Sequence, residues 1–351
     1  MVDVAIVAFA QLPSVRCNPV ADEAELVQPV TKAAMDAVGL TQSDIGFTCS
    51  GSCDYLVGRP FSFVAAVDGL QACPPIRESH VEMDGAWALY EAFVRLLHGD
   101  LDTALVFSFG KCSVGPVPDI LNVQNDPYCV QSLGLDSISA AALQARALLD
   151  AGKATERDFA EIAVRCRRDA KDNPNAHLKG DFDVDAILAE PYISSPLRKS
   201  LCSPLSDAAA AIVLATGDKA RALVDRPAWI RGIDHRVEPH SLGARDLTVS
   251  PSTLIAAERA GVGRDKVDVA ELYAPFAPQE IILREALGLP GEAAVNPSGG
   301  ALAANSVMTA GLIRLGEAAQ RVLDGRADRA VGHATSGACL QQNLVAVMEG
   351  E

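Results

Sequence analysis

Leu96-Leu97-His98-Gly99-Asp100-Leu101-Asp102-Thr103-Ala104-Leu105-Val106 has a counterpart far down the chain, Val322-Leu323-Asp324-Gly325-Arg326-Ala327-Asp328-Arg329-Ala330-Val331. Each stretch closes a helical pattern on a glycine, passes a short Gly-Asp/Arg-x-Asp turn and runs into an apolar strand. Glycine is the usual stop there, because it takes the left-handed conformation that ends a helix. Two more pairs match in the same order. Gly39-Leu40-Thr41-Gln42-Ser43-Asp44-Ile45 faces Gly261-Val262-Gly263-Arg264-Asp265-Lys266-Val267, again a helix exit, a polar turn and a strand start. Ala211-Ile212-Val213-Leu214-Ala215-Thr216-Gly217-Asp218 faces the last eight residues, Leu344-Val345-Ala346-Val347-Met348-Glu349-Gly350-Glu351. Three ordered matches predict an internal duplication, and a repeat fixes the architecture before single elements are placed.

Around these anchors, apolar runs of strand length alternate with helical patterns. Strands are predicted at 4–10, 45–49, 103–109 and 208–215, then at 229–233, 267–273, 329–334 and 344–348. Helices are predicted at 22–38, 85–97 and 137–151, then at 252–260, 278–287 and, as one long small-residue helix, 301–323. This alternation argues for an α/β protein with parallel sheets covered by helices. Residues 115–205 have no counterpart in the second half. The predicted organisation is therefore residues 1–114 with 206–225 as a first half, 115–205 as an inserted region, and 226–351 as a second half.

Composition fits. Of 351 residues, 49% are hydrophobic and 5% aromatic, so a large core must be built of small aliphatic side chains, and disorder is excluded. The net charge is -15, from 45 acids against 30 bases. With no basic block, a nucleic acid or an anionic membrane is not an expected partner. The first eight residues carry an acid and no basic segment, which suits a first strand and not a signal peptide. No stretch approaches 18 apolar residues, so no membrane span is expected. Nine scattered cysteines read as reduced thiols of a cytoplasmic protein. The Cys49-Ser50-Gly51-Ser52-Cys53 pair lacks a second Cys/His pair at zinc-finger distance and reads as buried thiols, with no metal site.

The duplicated order with an insertion in the first half resembles the thiolase superfamily. Three local segments carry the resemblance. Asn296-Pro297-Ser298-Gly299-Gly300-Ala301-Leu302 is similar to the family's Asn-x-x-Gly-Gly segment. Glu271-Leu272-Tyr273-Ala274-Pro275-Phe276 stands where thiolases carry Asn-Glu-Ala-Phe or His-Asp-Cys-Phe. Ser203-Pro204-Leu205-Ser206-Asp207-Ala208 is similar to the Ser-Asp-Gly-Ala-Ala start of a strand. The resemblance spans the chain and is nearest the sterol-carrier-type branch, with its actinobacterial lipid-transfer, thiolase-like proteins. It implies the thiolase fold: duplicated βαβαβαββ halves in a five-layer αβαβα sandwich, with an inserted loop region in the first half. It also implies a coenzyme A thioester as substrate, no further cofactor, and a homo- or heterodimer with a thiolase-like chain. A small CoA-binding partner with an OB-fold and a zinc ribbon is implied as well. Ser298, Gly299, Gly300 and Gly337 fall at substrate or CoA-binding positions, the glycine pair allowing close backbone approach to ligand or to a neighbouring helix.

The departures from the family pattern bear on chemistry. A thiolase places a cysteine three residues before the glycine that opens the first-half helix, where the helix dipole favours the attacking thiolate. Here the opening glycine is Gly85, and the nucleophile position falls on Glu82 or a neighbour in residues 80–84. No cysteine lies between Cys73 and Cys112. A carboxylate forms no acyl-thioester intermediate, and a helix N-terminus would weaken it as a base. Ala304-Asn305-Ser306 replaces the family's Gly-His-Pro: Asn305 keeps a donor for a thioester oxyanion but is no base. The C-terminal Cys-x-Gly loop becomes His333-Ala334-Thr335-Ser336-Gly337-Ala338-Cys339. Claisen condensation by this chain alone is not expected.

What remains accessible is retro-aldol cleavage of a β-hydroxyacyl-CoA, as in steroid or lipid side-chain breakdown, in which a base removes the hydroxyl proton and donors hold the enolate. Relatives of the lipid-transfer type use tyrosines for this, and the matching loop carries Tyr273. A base there needs a lowered pKa; otherwise Tyr273 is a packed tyrosine bonded to backbone. His333 is the second candidate acid or base, or else a structural residue at a strand end. Two alternatives stand beside this reading. One is a non-catalytic subunit of a heteromeric thiolase-like complex. The other is an acyltransferase, of acetyl-CoA acetyltransferase type, using Cys339 or Cys112. Glu78-Ser79-His80 is an acid/base cluster or a solvated turn. Arg165-Cys166-Arg167-Arg168 is a solvated helix face or a phosphate contact.

Overall fold

The computed structural model describes residues 2–351 except Gln71, Cys73 and Pro74. Its strands are β1 (Val4–Gln11), β2 (Phe47–Gly51), β3 (Glu78–Val81), β4 (Thr103–Lys111), β5 (Tyr192–Ser194), β6 (Leu197–Arg198) and β7 (Asp207–Thr216). The second half adds β8 (Ala228–Val237), β9 (Val269–Leu272), β10 (Ala294–Val295), β11 (Arg329–Ser336) and β12 (Gln342–Glu349). The first half forms a five-stranded array in the order β3-β2-β4-β7-β1, and the second repeats it as β10-β9-β11-β12-β8. The directions repeat too. The three outer strands of each array run parallel, and β7 or β12 then runs antiparallel to both of its neighbours. The arrays meet edge to edge where Ala5 pairs with Trp229 and Ile6 with Ala228. The duplication read from the sequence is thus present in strand order and direction. Residues between β4 and β7 form the inserted region, which carries β5 and β6.

Helices fill the layers around these arrays. The Gly85–Leu97 helix packs on β2 and β4, the Ala310–Leu323 helix packs on β11, and the two helices touch each other. They form the middle layer, whose core gathers Trp87, Leu89 and Leu96 with Leu312, Leu315 and Val322. The Glu23–Asp36 helix covers the outer face of the first array, and the Pro251–Ala260 and Ala277–Leu287 helices cover the second. The small side chains of the sequence let these layers approach closely. At Gly51 a Cβ would lie 2.7 Å from the Gly85 backbone, so the glycine pair sets the spacing between β2 and the middle layer.

The structure corrects one predicted element. Residues 301–323 do not form a single helix. A short turn of helix at Gly300–Ala303 gives way to extended chain, and the main helix starts at Ala310. Strand-like pairing wins locally over helix propensity: Ser206 N–H donates to Asn305 O at 2.9 Å, and Met308 takes φ +76°. That break lifts Asn305 out of helical geometry. The sequence reading also passed over β3 and β10, each short and at the outer edge of its array.

Candidate active site

A cavity of about 620 Å³ opens where all three segments meet: residues 82–84 of the first half, loops of the insertion, and residues 240–243, 273–279, 305–308 and 335–342 of the second half. Tyr273 and Asn305 stand together in its wall. Tyr273 Oη donates to Asn305 Oδ1 at 2.8 Å, and Asn305 Nδ2 donates to Ser203 Oγ at 2.8 Å. The two contacts fix the amide orientation and leave one N–H of Nδ2 without a protein partner. Tyr273 follows β9 and is tied to β11 by its own N–H, which donates to His333 O at 3.2 Å. Burial holds the Tyr273 phenol well above its ordinary pKa, and the nearby Asp84 charge adds to this. The lowered value that a tyrosine base needs is absent, and the phenol stands as a hydrogen-bond donor to Asn305.

Asp84 lies within the 80–84 stretch to which the sequence assigned the nucleophile position, but its role as a double cap was not read there. It is the N-cap of the Gly85–Leu97 helix, where its Oδ1 accepts from Ala86 N at 2.9 Å. The same carboxylate reaches the N-terminus of the Ala310–Leu323 helix, Oδ1 accepting from Leu312 N at 3.0 Å and Oδ2 from Gly311 N at 2.9 Å. It therefore caps both middle-layer helices at once, at the floor of the cavity. Burial pushes its carboxyl up to about 6, while the three N–H donors pull it back down. An Asp directly before a helical pattern is a legible N-cap signal; the second helix end is 227 residues away.

Glu82 also lines the cavity, yet it does not sit over the helix N-terminus, since Asp84 holds that place. Its carboxylate accepts from Asp54 N at 2.7 Å and lies 3.2 Å from His80 Nε2. Gly337 lines the cavity within a strained loop: Cys339 (φ +53°) and Leu340 (φ +61°) are both left-handed. Arg245 braces that loop by donating to Ala338 O at 2.8 Å and Cys339 O at 3.1 Å.

The remaining predicted positions lie elsewhere. His333 is fully buried in β11, outside the cavity wall, with Nε2 3.0 Å from Asn343 Oδ1. Desolvation lowers its pKa to about 4, which keeps the ring neutral. Ser298 is buried in an ion-pair network: its Oγ donates to Glu271 Oε2 at 2.7 Å, and Arg314 Nη1 lies 2.9 Å from that same oxygen. Gly299 and Gly300 are left-handed. A Cβ on Gly299 would come within 2.6 Å of Ala170 in the insertion, so the pair serves a backbone approach between segments. Arg165 and Arg167 are no solvated face. Arg165 pairs with the buried Glu280, and Arg167 is buried, donating to Ser200 O at 3.0 Å.

Thiols are present at the cavity but not at the helix mouth. Cys129, Cys202 and Cys339 are in the wall; Cys129 is exposed, while burial pushes Cys339 up to about 11 and Cys202 up to about 12. Cys339 Sγ contacts Ala140 O at 3.2 Å. Cys112 is buried off the cavity, also pushed up to about 12. Cys49 and Cys53 are buried free thiols. Among the described residues no group of three or more potential metal ligands occurs, and no helix is long and apolar enough to cross a membrane.

The duplicated five-stranded arrays, the paired middle helices and a cavity between the halves and the insertion define a thiolase fold, and comparison with known proteins agrees. The chain is 27% identical over 349 residues to an acetyl-CoA acetyltransferase of Methanocaldococcus jannaschii, covering 90% of this chain and 89% of the relative. It is 29% identical over 170 residues to the 17-hydroxy-3-oxo-4-pregnene-20-carboxyl-CoA lyase of Mycobacterium tuberculosis, covering 45% and 44%. The solved Ltp2-ChsH2(DUF35) aldolase superposes with a TM-score of 0.80 at 18% identity, over 99% of this chain and 98% of that one. No protein-family model matches the chain. This chain has the thiolase fold and is similar in sequence to thiolase-type acetyltransferases and to a steroid side-chain CoA lyase.

Proposed function

We propose that the protein cleaves a β-hydroxyacyl-CoA by a retro-aldol reaction, in the breakdown of a steroid or lipid side chain, without forming an acyl-enzyme. One observation carries this reading: the carboxylate of Asp84 occupies the mouth of the Gly85–Leu97 helix, where this fold would activate a thiolate, and its oxygens are committed to three backbone N–H groups. Of the cavity thiols, Cys202 and Cys339 have raised pKa values that make them poor nucleophiles near neutral pH. The third, Cys129, is an exposed thiol of the insertion and not on the helix that Asp84 caps. Asn305 supplies the unpaired N–H of Nδ2 to the thioester oxygen as charge develops on it, with Tyr273 and Ser203 holding the amide in place.

A second observation favours a heteromeric complex. The cavity wall contains Glu82, Asp84, Asp126 and Asp136 but no Lys or Arg among the described residues. The phosphates of a CoA ester need cations, so another chain would supply them, as an OB-fold, zinc-ribbon CoA-binding partner would. The two-component name of the Ltp2-ChsH2 aldolase is consistent with this. The same observation suits the alternative that the chain is a non-catalytic subunit.

The test is cleavage of β-hydroxyacyl-CoA thioesters by the chain, alone and with any protein that co-purifies. Asn305→Ala is expected to lower kcat by about 10²-fold, the scale of losing one oxyanion donor, and Tyr273→Phe, which frees the Asn305 amide to turn, by about tenfold. Cys202→Ala and Cys339→Ala should leave it within about twofold, less than about 0.4 kcal/mol in the barrier. Full activity in Tyr273→Phe and Asn305→Ala would assign the chemistry to another chain.

A further inference from the structure

Retro-aldol cleavage needs a proton acceptor, and most acidic or basic groups on the cavity wall are already committed. Tyr273 donates its proton to Asn305. Asp84 is locked by the two helix N-termini. Asp126 Oδ1 caps a turn by accepting from Tyr128 N at 2.8 Å, and Asp136 Oδ1 caps the Ser137–Asp150 helix through Ser139 N at 2.6 Å. His240 is exposed and directs Nε2 to Gln124 O at 3.0 Å. Glu82 is different. It stands two residues before Asp84, whose charge acts on Tyr273, and 47% of its side chain remains exposed.

Its surroundings hold it from two sides. Oε1 accepts from Asp54 N at 2.7 Å. Oε2 faces His80 Nε2 at 3.2 Å, while the other ring nitrogen, Nδ1, lies 2.9 Å from Ser50 Oγ. A carboxylate only accepts, so Nε2 carries the hydrogen and Nδ1 accepts from the serine hydroxyl. The imidazole is also stacked on Phe63, with ring centroids 4.3 Å apart and planes 9° apart, and only 12% of its side chain is exposed. Because β2 and β3 are parallel with Ser50 opposite His80, the sheet itself sets this chain of contacts. A serine nucleophile is not its purpose: Ser50 is fully buried and off the cavity.

We propose that Glu82 is the general base of the reaction and that His80, anchored by Ser50 and Phe63, is its positioning residue. This rests on the retro-aldol reading. The β-hydroxyl proton passes to Glu82, the O–H electron pair becomes the new carbonyl, and the Cα–Cβ pair moves onto the thioester as an enolate. The proton on Glu82 then returns to Cα. The products are an aldehyde or ketone and a shortened acyl-CoA, and no oxidant or reductant is needed. Glu82, three residues before the glycine that opens the helix, thus takes a different role from the attacking thiolate of thiolases.

The experiment measures kcat and KM for wild type, Glu82→Gln, His80→Leu, His80→Gln and, as a control at an exposed histidine off the cavity, His98→Gln. The full chain is used with any protein that co-purifies, on a panel running from 3-hydroxybutyryl-CoA to steroid side-chain β-hydroxyacyl-CoA esters. Glu82→Gln should lower kcat by roughly 10²–10⁴-fold, the range of general-base catalysis, with KM little changed. His80→Leu should lower kcat about tenfold, and His80→Gln, which restores a donor toward Glu82, should recover most of that loss; both changes act on orientation. His98→Gln should be silent. Cleavage by wild type with full kcat in Glu82→Gln overturns the assignment of Glu82 alone. Equal losses in His80→Leu and His80→Gln overturn the positioning role. A wild type that cleaves no member of the panel overturns both the reaction and the base.

Discussion

Asp84→Ala is expected to lower the free energy of unfolding by about 3–5 kcal/mol. The carboxylate accepts three buried N–H groups at the starts of two middle-layer helices, and each buried donor left unpaired costs about 1–3 kcal/mol. Removing a desolvated carboxylate offsets part of that. Asp84→Asn keeps an acceptor and is expected to cost less, but it exposes a pH signature. Asp84 has its carboxyl raised from 3.8 to about 6 in the folded protein. Its contribution to stability is therefore complete below pH 4 and is lost as pH rises through 6, by about 3 kcal/mol in all.

His333 acts in the opposite sense over nearly the same window. Its pKa is lowered from 6.5 to about 4, so its contribution is complete above pH 6.5 and is lost as pH falls toward 4, again by about 3 kcal/mol. In the wild type the two slopes largely cancel. Asp84→Asn should steepen the loss of stability on acidification between pH 6.5 and 4, and His333→Gln should reduce or reverse it. Urea midpoints measured from pH 4 to 8 decide this, and parallel curves for the two variants would contradict it.

Arg314→Leu is the second large effect, an expected loss of about 3–5 kcal/mol. Glu271 is fully buried in β9, and burial raises its pKa even with Arg314 beside it. Arg314 Nη1 lies 2.9 Å from Glu271 Oε2, and Ser298 N donates to Oε1 at 3.0 Å. Leucine would leave that carboxylate without its buried counter-charge, with Arg321 Nε at 3.9 Å as the remaining ion-pair partner. Glu271→Leu combined with Arg314→Leu should recover much of the loss, because replacing a whole buried pair by apolar groups is often neutral. Denaturant curves for the two singles and the double close the cycle. A double variant as unstable as the sum of the singles would show that the pair is not coupled.

The duplication was legible because it is local. A helix stop, a polar turn and a strand start are written within about ten neighbouring residues, and Gly99 and Gly325 mark them in both halves. Gly39 and Gly261 do the same for the other match. The break at Ala304 was not legible, since the small residues of 301–323 favour a helix and only the distant pairing of Ser206 with Asn305 opposes it. That pairing also delivers Asn305 to Tyr273, 32 residues away. Asp84 was readable as a cap for one helix and unreadable for the other. His333 shows the converse: its place in the sequence beside a glycine-rich loop suggested the site, while the strand alternation of β11 turns its ring toward Asn343.

The central claim is that bond cleavage here proceeds with no acyl group on the protein. Intact-protein mass spectrometry of samples acid-quenched during turnover of a β-hydroxyacyl-CoA tests it most directly. The predicted result is an unmodified chain alongside accumulating carbonyl product and shortened acyl-CoA. An acyl mass increment on the chain that maps to any cysteine, Cys129, Cys202, Cys339 and Cys112 first among them, would contradict it.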